Sequence, residues 1–429
     1  MTRTPSLSPP PPAKRMKLDL TTECTSHLNY RNGIFLAPMV RSGPLPTRLT
    51  ALAHGASLVW APEIVDRAIL NAERDVNDKT GVVSYRIKGK AIFTTHPIEK
   101  KYLVYQVGSA SPELALKAAL TVAQDVSAVD LNCGCPKPFS THGGMGAALL
   151  STPDLLCEIL RTLRQGLPPN IAVTAKIRLL ATQEATIDLV KRIIDCGVSA
   201  VTVHCRTREM RKHERALPHR LKDIVDAVKA LPGGGIPIIA NGDCEGFGDA
   251  MRLRELTGAD SVMVATAAEN NPSCFNREPV LDIERNLMPG YIRMARYLDN
   301  HFGSTKHCII QFKSAKGPAH ESGILPKAER HPIKQTLAHS KSYTDLKDII
   351  TLDGGSWESG GESDYRELEA AILARDAGFA TPFGNVNPEG GDVLLAAPGP
   401  DLSVHGLKRV GLTPILGPPS PEPLVSISA

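Results

Sequence analysis

The chain has 429 residues, 42% of them hydrophobic, with 49 basic against 45 acidic side chains for a net charge of +4. This supports a sizeable core and excludes a histone-like polycation, and aromatics at 4% leave no stacked-ring RNA-recognition sheet in view. No apolar run approaches the ~20 residues of a membrane span, no signal peptide opens the chain, and nine scattered cysteines fit free thiols in a reducing compartment.

Residues 1–28 open with a proline run and read as disordered, because so little apolar area cannot offset chain entropy. Within them Lys14, Arg15 and Lys17 form a short basic cluster that resembles a nuclear import signal. Cytoplasmic or nuclear residence is therefore expected.

From Gly33 to about Ser273, eight short β-rich apolar runs recur, separated by longer helical patterns. They are 34–40, 57–63, 102–108, 127–134, 171–178, 199–206, 236–242 and 260–266. They are apolar on both faces, as strands buried between helices and a barrel interior should be. Residues 152–166 show the matching helix, with a Thr cap, Pro in the first turn and Gly at the end. Eight strand–helix alternations over about 240 residues predict an α/β fold, a TIM (β/α)8 barrel. A doubly wound sheet would normally carry GxGxxG after its first strand, and "APMVRSGPLP" does not. The barrel domain is set at 29–285. Of the 77 residues from Asp353 to Ala429, 12 are Gly and 9 are Pro, which reads as a low-complexity tail with room for one helix at 363–377.

In this fold the site forms at the carboxyl ends of the strands. The runs close on Met39, Glu63, Gln106, Asn132, Lys176 with Arg178, His204 with Arg206, and Asn241. As a set they converge on one ligand. Asn, Gln, Lys and His offer donors to a planar, oxygen-rich anionic group. Gly242, and Ala265 and Thr266 after the last strand, leave backbone N–H groups for a phosphate. A phosphorylated flat cofactor such as flavin mononucleotide (FMN) fits both halves.

The strongest local signal is "LNCGCPKPFSTHGGMGAALL" (131–150), with Cys133 and Cys135 following the fourth strand. Zinc would need two further ligands at useful spacing and only His142 is near, so no metal is expected. Cys135 as a nucleophile with His204 as base is one reading. A thiol acting as general acid toward a substrate held over the cofactor is the other. Between Arg206 and Lys222 seven Lys/Arg stand against two acids, a basic stretch on the same rim suited to RNA phosphates. It includes Arg208, Arg211 and Lys212.

"FLAPMVRSGPLPTRLTALAHGASLVWAPEIVD", "VDLNCGCPKPFSTHGGMGAALL", "KIR", "VHCRTRE" and "PIIANGD" resemble the tRNA-dihydrouridine synthases. The likeness is to the eukaryotic branch acting at position 20 of cytoplasmic tRNA, and it covers about residues 30–352. The resemblance implies a flavoenzyme barrel followed by a small helical tRNA-binding domain, placed at 286–352 on helix patterns at 289–302 and 341–350. It implies FMN contacts at Pro38, Met39, Val40, Gln106, Lys176, His204, Asn241, Gly242, Asp243, Ala265 and Thr266. It implies that Cys135 protonates uracil C5 while hydride from NADPH or NADH reaches C6 through the flavin. Asn132, Arg178, Arg206, Arg208, Arg211 and Lys212 are the expected tRNA contacts, and a monomer is expected. Thr266 departs from the Arg that many members carry there. Another FMN barrel oxidoreductase, or a non-catalytic tRNA-binding descendant, are the alternative readings.

Overall fold

A computed structural model describes residues 24–277, 280–313, 327–358 and 360–377. The basic cluster at Lys14, Arg15 and Lys17 and the chain beyond Ala377 lie outside the described residues. Strands β1 (Ile34–Leu36) and β2 (Leu58–Trp60) are followed by a two-residue strand β3 (Ile64–Val65). An excursion of three antiparallel strands comes next: β4 (Glu73–Val76), β5 (Val83–Ile87) and β6 (Lys90–Thr95). The chain then runs through β7 (Leu103–Gly108), β8 (Ala128–Cys133), β9 (Ala172–Leu179), β10 (Ala200–Thr207), β11 (Ile238–Asn241) and β12 (Ser261–Val264).

Strands β1, β2 and β7–β12 pair in parallel in that order, and the ring closes where Leu36 of β1 faces Val264 of β12. The eight strands are the eight apolar runs of the sequence, so the expected barrel is what forms. Their residues are almost all buried, with the helices packed outside and side chains such as Phe35 and Trp60 filling the interior.

Two local readings need correction. The link between β2 and β7 is the antiparallel excursion rather than a long helix. Thr152 does stand at the start of helix Pro153–Gly166, but its hydroxyl makes no capping bond to that helix. Gly166 closes the helix as expected. It lets the helix approach helix Pro112–Val122, since a Cβ there would lie 2.3 Å from Leu116 Cδ2.

After the barrel come helices Met288–Tyr297, Phe302–Gln311, Lys327–His339 and Lys347–Ile350. The region set aside as tail then supplies helix Gly360–Ala377. Arg293 ties it down, its guanidinium bonding Asp353 and Asp364 at 2.7 Å each and the Ile350 carbonyl at 2.5 Å. Gly355 and Gly360 are glycine because a Cβ would strike this guanidinium or its stem, at 2.2 and 2.6 Å. The glycines that read as low complexity are here a packing device, and the helical unit runs past Leu352 to at least Ala377. Tyr365 reaches His96 at 3.2 Å, and Arg375 donates to the Leu52 and Ala56 carbonyls of the barrel. Among the described residues no helix is long and apolar enough to cross a membrane.

Candidate active site

The strand register brings the rim residues together. Asn132 and Lys176 are partners across β8 and β9, and His204 partners Arg178 on one side and Asn241 on the other. Gln106 partners Asp130 across β7 and β8. Alternation along each strand then points Lys176, Arg178, His204 and Arg206 the same way, toward the mouth.

Asp130 is fully buried there, with Gln106 Nε2 donating to it at 2.8 Å and Thr174 Oγ1 at 2.6 Å. Burial pushes its carboxyl up to about 6 despite these donors. Gln106 therefore spends one of its two amide hydrogens on Asp130 and keeps the other, with its oxygen, for a ligand. Asp130 itself was passed over in the sequence. The signal was an acid in an otherwise apolar strand, "SAVDLNCG".

Lys176 Nζ makes no hydrogen bond or ion pair with any described residue. Burial and the nearby Arg178 charge lower its ammonium to about 8. His204 is held well below its ordinary value, first by burial and then by Lys176, Arg178 and Arg206, so it is a neutral imidazole. An unpaired cation beside a neutral ring suits an electron-rich or anionic ligand at the mouth. Gly242 after β11 has φ +129°, and a Cβ there would crowd Ala216 Cβ at 3.1 Å and His204 Cδ2 at 3.4 Å. That leaves the backbone open as a cradle floor. Pro38 and Met39 are half-buried and Val40 exposed in the turn after β1. Ala265 and Thr266 start the short helix Thr266–Asn270 after β12. Asn241 Nδ2 donates to the Met263 carbonyl at 2.9 Å, which locks β11 to β12. These donor types and this open floor fit a phosphorylated flavin.

Other expected ligands have structural work. The Asp243 carboxylate pairs with Arg206 and accepts from the Ala216 N–H at 2.7 Å, which pins loop 208–217 to the rim. Arg206 also donates to the Glu214 carbonyl at 2.7 Å. Arg178 donates to the carbonyls of Gly134 at 2.7 Å and Thr207 at 2.8 Å and so bridges the cysteine loop to β10. Arg208, Arg211 and Lys212 remain exposed; Arg208 reaches Ser151 Oγ at 3.0 Å and Lys212 reaches Glu269 at 3.7 Å. Arg208 and Arg211 line a cavity of about 520 Å³ with Pro136, Thr141 and Ser151, beside the cysteine loop.

The two cysteines part company. Cys133 is fully buried at the end of β8, its thiol turned back to the Leu131 carbonyl. Cys135 is half-buried in the following loop, whose start is held by Asn132 Oδ1 accepting from the N–H groups of Gly134 and Cys135. Burial raises the Cys135 thiol above its ordinary value and the Glu63 carboxylate adds to this, against the Lys137 N–H and charge. Such a sulfur holds its proton near neutral pH, which suits an acid better than a nucleophile. His204, the base of the nucleophile reading, is occupied with Arg206 at 3.3 Å instead. Among the described residues no three His, Cys, Asp or Glu side chains group as metal ligands.

Comparison with known proteins fits this geometry. Residues 35–346 match the family described as dihydrouridine synthase (Dus). The tRNA-dihydrouridine(20) synthase [NAD(P)+] of Schizosaccharomyces pombe is 44% identical over 334 residues, 76% of this chain and 66% of that protein. The chain thus spans just under two thirds of that relative. The tRNA-dihydrouridine(20) synthase [NAD(P)+] of Saccharomyces cerevisiae is 40% identical over 306 residues, 67% of this chain and 79% of that protein. The chain belongs to the dihydrouridine synthase family.

Proposed function

We propose that this protein reduces a uridine in the D-loop of tRNA, at position 20, to 5,6-dihydrouridine, with FMN as cofactor and NADPH or NADH as reductant. The observation that carries the reading is a protonated, half-buried Cys135 on the rim of a closed barrel whose mouth presents the unpaired cation Lys176.

Bound FMN would supply hydride to uracil C6, drawn from the nicotinamide. Lys176, His204, Gln106 Oε1 and Asn241 would surround the ring, with the 38–40 turn against it. Gly242 and the backbone at 265–266 would take the phosphate, and Thr266 offers a hydroxyl. Cys135 then gives its proton to C5, and its raised thiol value keeps that proton loaded between turnovers. Arg208, Arg211 and Lys212 stand where RNA phosphates would pass. Asn132, Arg178 and Arg206 would act on tRNA indirectly, by holding the loops that touch it. Residues 286–377 would add the second tRNA surface, the chain would act as a monomer, and Lys14, Arg15 and Lys17 would direct part of it to the nucleus.

The test is reduction of tRNA that lacks dihydrouridine, with NADPH and the purified flavoprotein, and mapping of the product. Dihydrouridine at position 20 is the expected outcome. A colourless protein that binds no added FMN, or no product in any tRNA, overturns the proposal.

A further inference from the structure

Glu63 ends the chain segment after β2 as a carboxylate only 8% exposed. Ser140 Oγ donates to its Oε1 at 3.0 Å, and Oε2 has no hydrogen-bond partner. The Cys135 thiol and the Asn132 side chain lie against the same carboxylate. Gly108 at the end of β7 makes room for it, since a Cβ there would fall 2.4 Å from Glu63 Oε1. Four elements therefore converge to seat one buried acid beside one thiol.

A buried carboxyl that is not used is expensive to keep, because the ionised form loses hydration and an orphan oxygen gains nothing in return. Besides Ser140 two donors face it, the Asn132 amide and the Cys135 S–H, and of these only the thiol carries a proton that the chemistry proposed above transfers. Resting on the function proposed above, we propose that Glu63 is a positioning residue for Cys135: its carboxylate, fixed by Ser140, accepts the thiol hydrogen, aims Sγ across the barrel mouth and keeps it protonated. The remaining charges facing Cys135 are cationic: Lys137 on its own loop, and Lys176 and Arg178 from β9. Those three favour the thiolate. Glu63 opposes them and adds to the burial that already raises the thiol, so it helps keep the acid loaded.

The experiment follows iodoacetamide labelling of Cys135 against pH in the purified flavoprotein, read by peptide mass. Glu63→Gln keeps the volume and removes the charge. Its labelling midpoint should fall by about one pH unit, with roughly tenfold faster labelling below both midpoints. The alkaline limb of tRNA uridine reduction should move down with it, while NADPH-driven flavin reduction is unchanged. Glu63→Asp, which keeps the charge one methylene back, should restore part of the midpoint and guards against a folding artefact. An unmoved or raised midpoint in Glu63→Gln overturns the proposal. If wild type reduces no tRNA, the function above fails, and the labelling midpoints still decide the role of Glu63.

Discussion

Asn132 Oδ1 accepts the backbone N–H of Cys135 at 3.0 Å, and that of Gly134 at 2.9 Å, so the end of β8 physically holds the loop that carries the Cys135 thiol. Such an Asx-type clasp fixes the exit angle of the chain. Asn132→Ala removes one acceptor for two N–H groups and should cost about 1–3 kcal/mol of local stability. Uridine reduction should fall roughly 10²-fold, since small misplacement of an acid is costly, while flavin content stays near wild type. Equal loss of flavin and activity would mean that Asn132 supports the whole mouth and not the loop.

The neighbouring thiols should separate cleanly. Cys135→Ala removes the proton donor and should lower tRNA reduction by the ~10²–10⁴-fold of a lost general acid. NADPH-driven flavin reduction needs no acid at C5 and should survive. Cys133, buried and turned to Leu131, should respond to Ala with about 1 kcal/mol of lost packing and retained activity. Assaying both half-reactions on both variants checks this, and a dead Cys133→Ala enzyme would transfer the acid role.

The barrel was legible because each strand is buried on both faces and so reads as an unbroken apolar run. The rim was legible because polar residues interrupt those runs at one end only. Three things were not. Asp243 and Arg206 look like ligands in sequence, yet they pair with each other, and only three-dimensional register reveals that. The glycines around Arg293 carry the composition of a tail while they pack against a guanidinium from some 60–70 residues away in the chain. Composition cannot tell a glycine that is free from one that is crowded. Glu63 stood in plain view on the rim, but its role depends on Ser140, 77 residues later.

Ending the chain at Leu352 would delete Asp353 and Asp364 and leave the Arg293 guanidinium, 6% exposed, with the Ile350 carbonyl alone. Stranding one partner of a buried ion pair costs about 3–5 kcal/mol. The truncated protein should therefore lose several degrees of Tm and tend to aggregate, whereas a chain ending at Ala377 keeps both carboxylates and serves as the reference. Thermal melts of the two forms decide it. Equal Tm values would show that helix Gly360–Ala377 adds nothing to the barrel.

Lys176 makes flavin affinity depend on pH in a direction that can be worked out. Without ligand its ammonium titrates at about 8, lowered from 10.5 chiefly by burial. The unfolded chain holds that proton more tightly, so the stability of the flavin-free protein gains as pH climbs from about 8 toward 10.5. An anionic ligand does the reverse, because it stabilises the ammonium and raises its titration point. Binding then takes up a proton above pH 8, and Kd for FMN should rise by about tenfold per pH unit until the bound-state value is reached. Below pH 8 the lysine is charged in both states and this contribution vanishes. Lys176→Met should bind FMN more weakly at pH 7 and show no such rise. Flavin fluorescence quenching between pH 7 and 9.5 measures both curves. A wild-type slope that persists in Lys176→Met would assign the proton to another group and remove Lys176 from the flavin site.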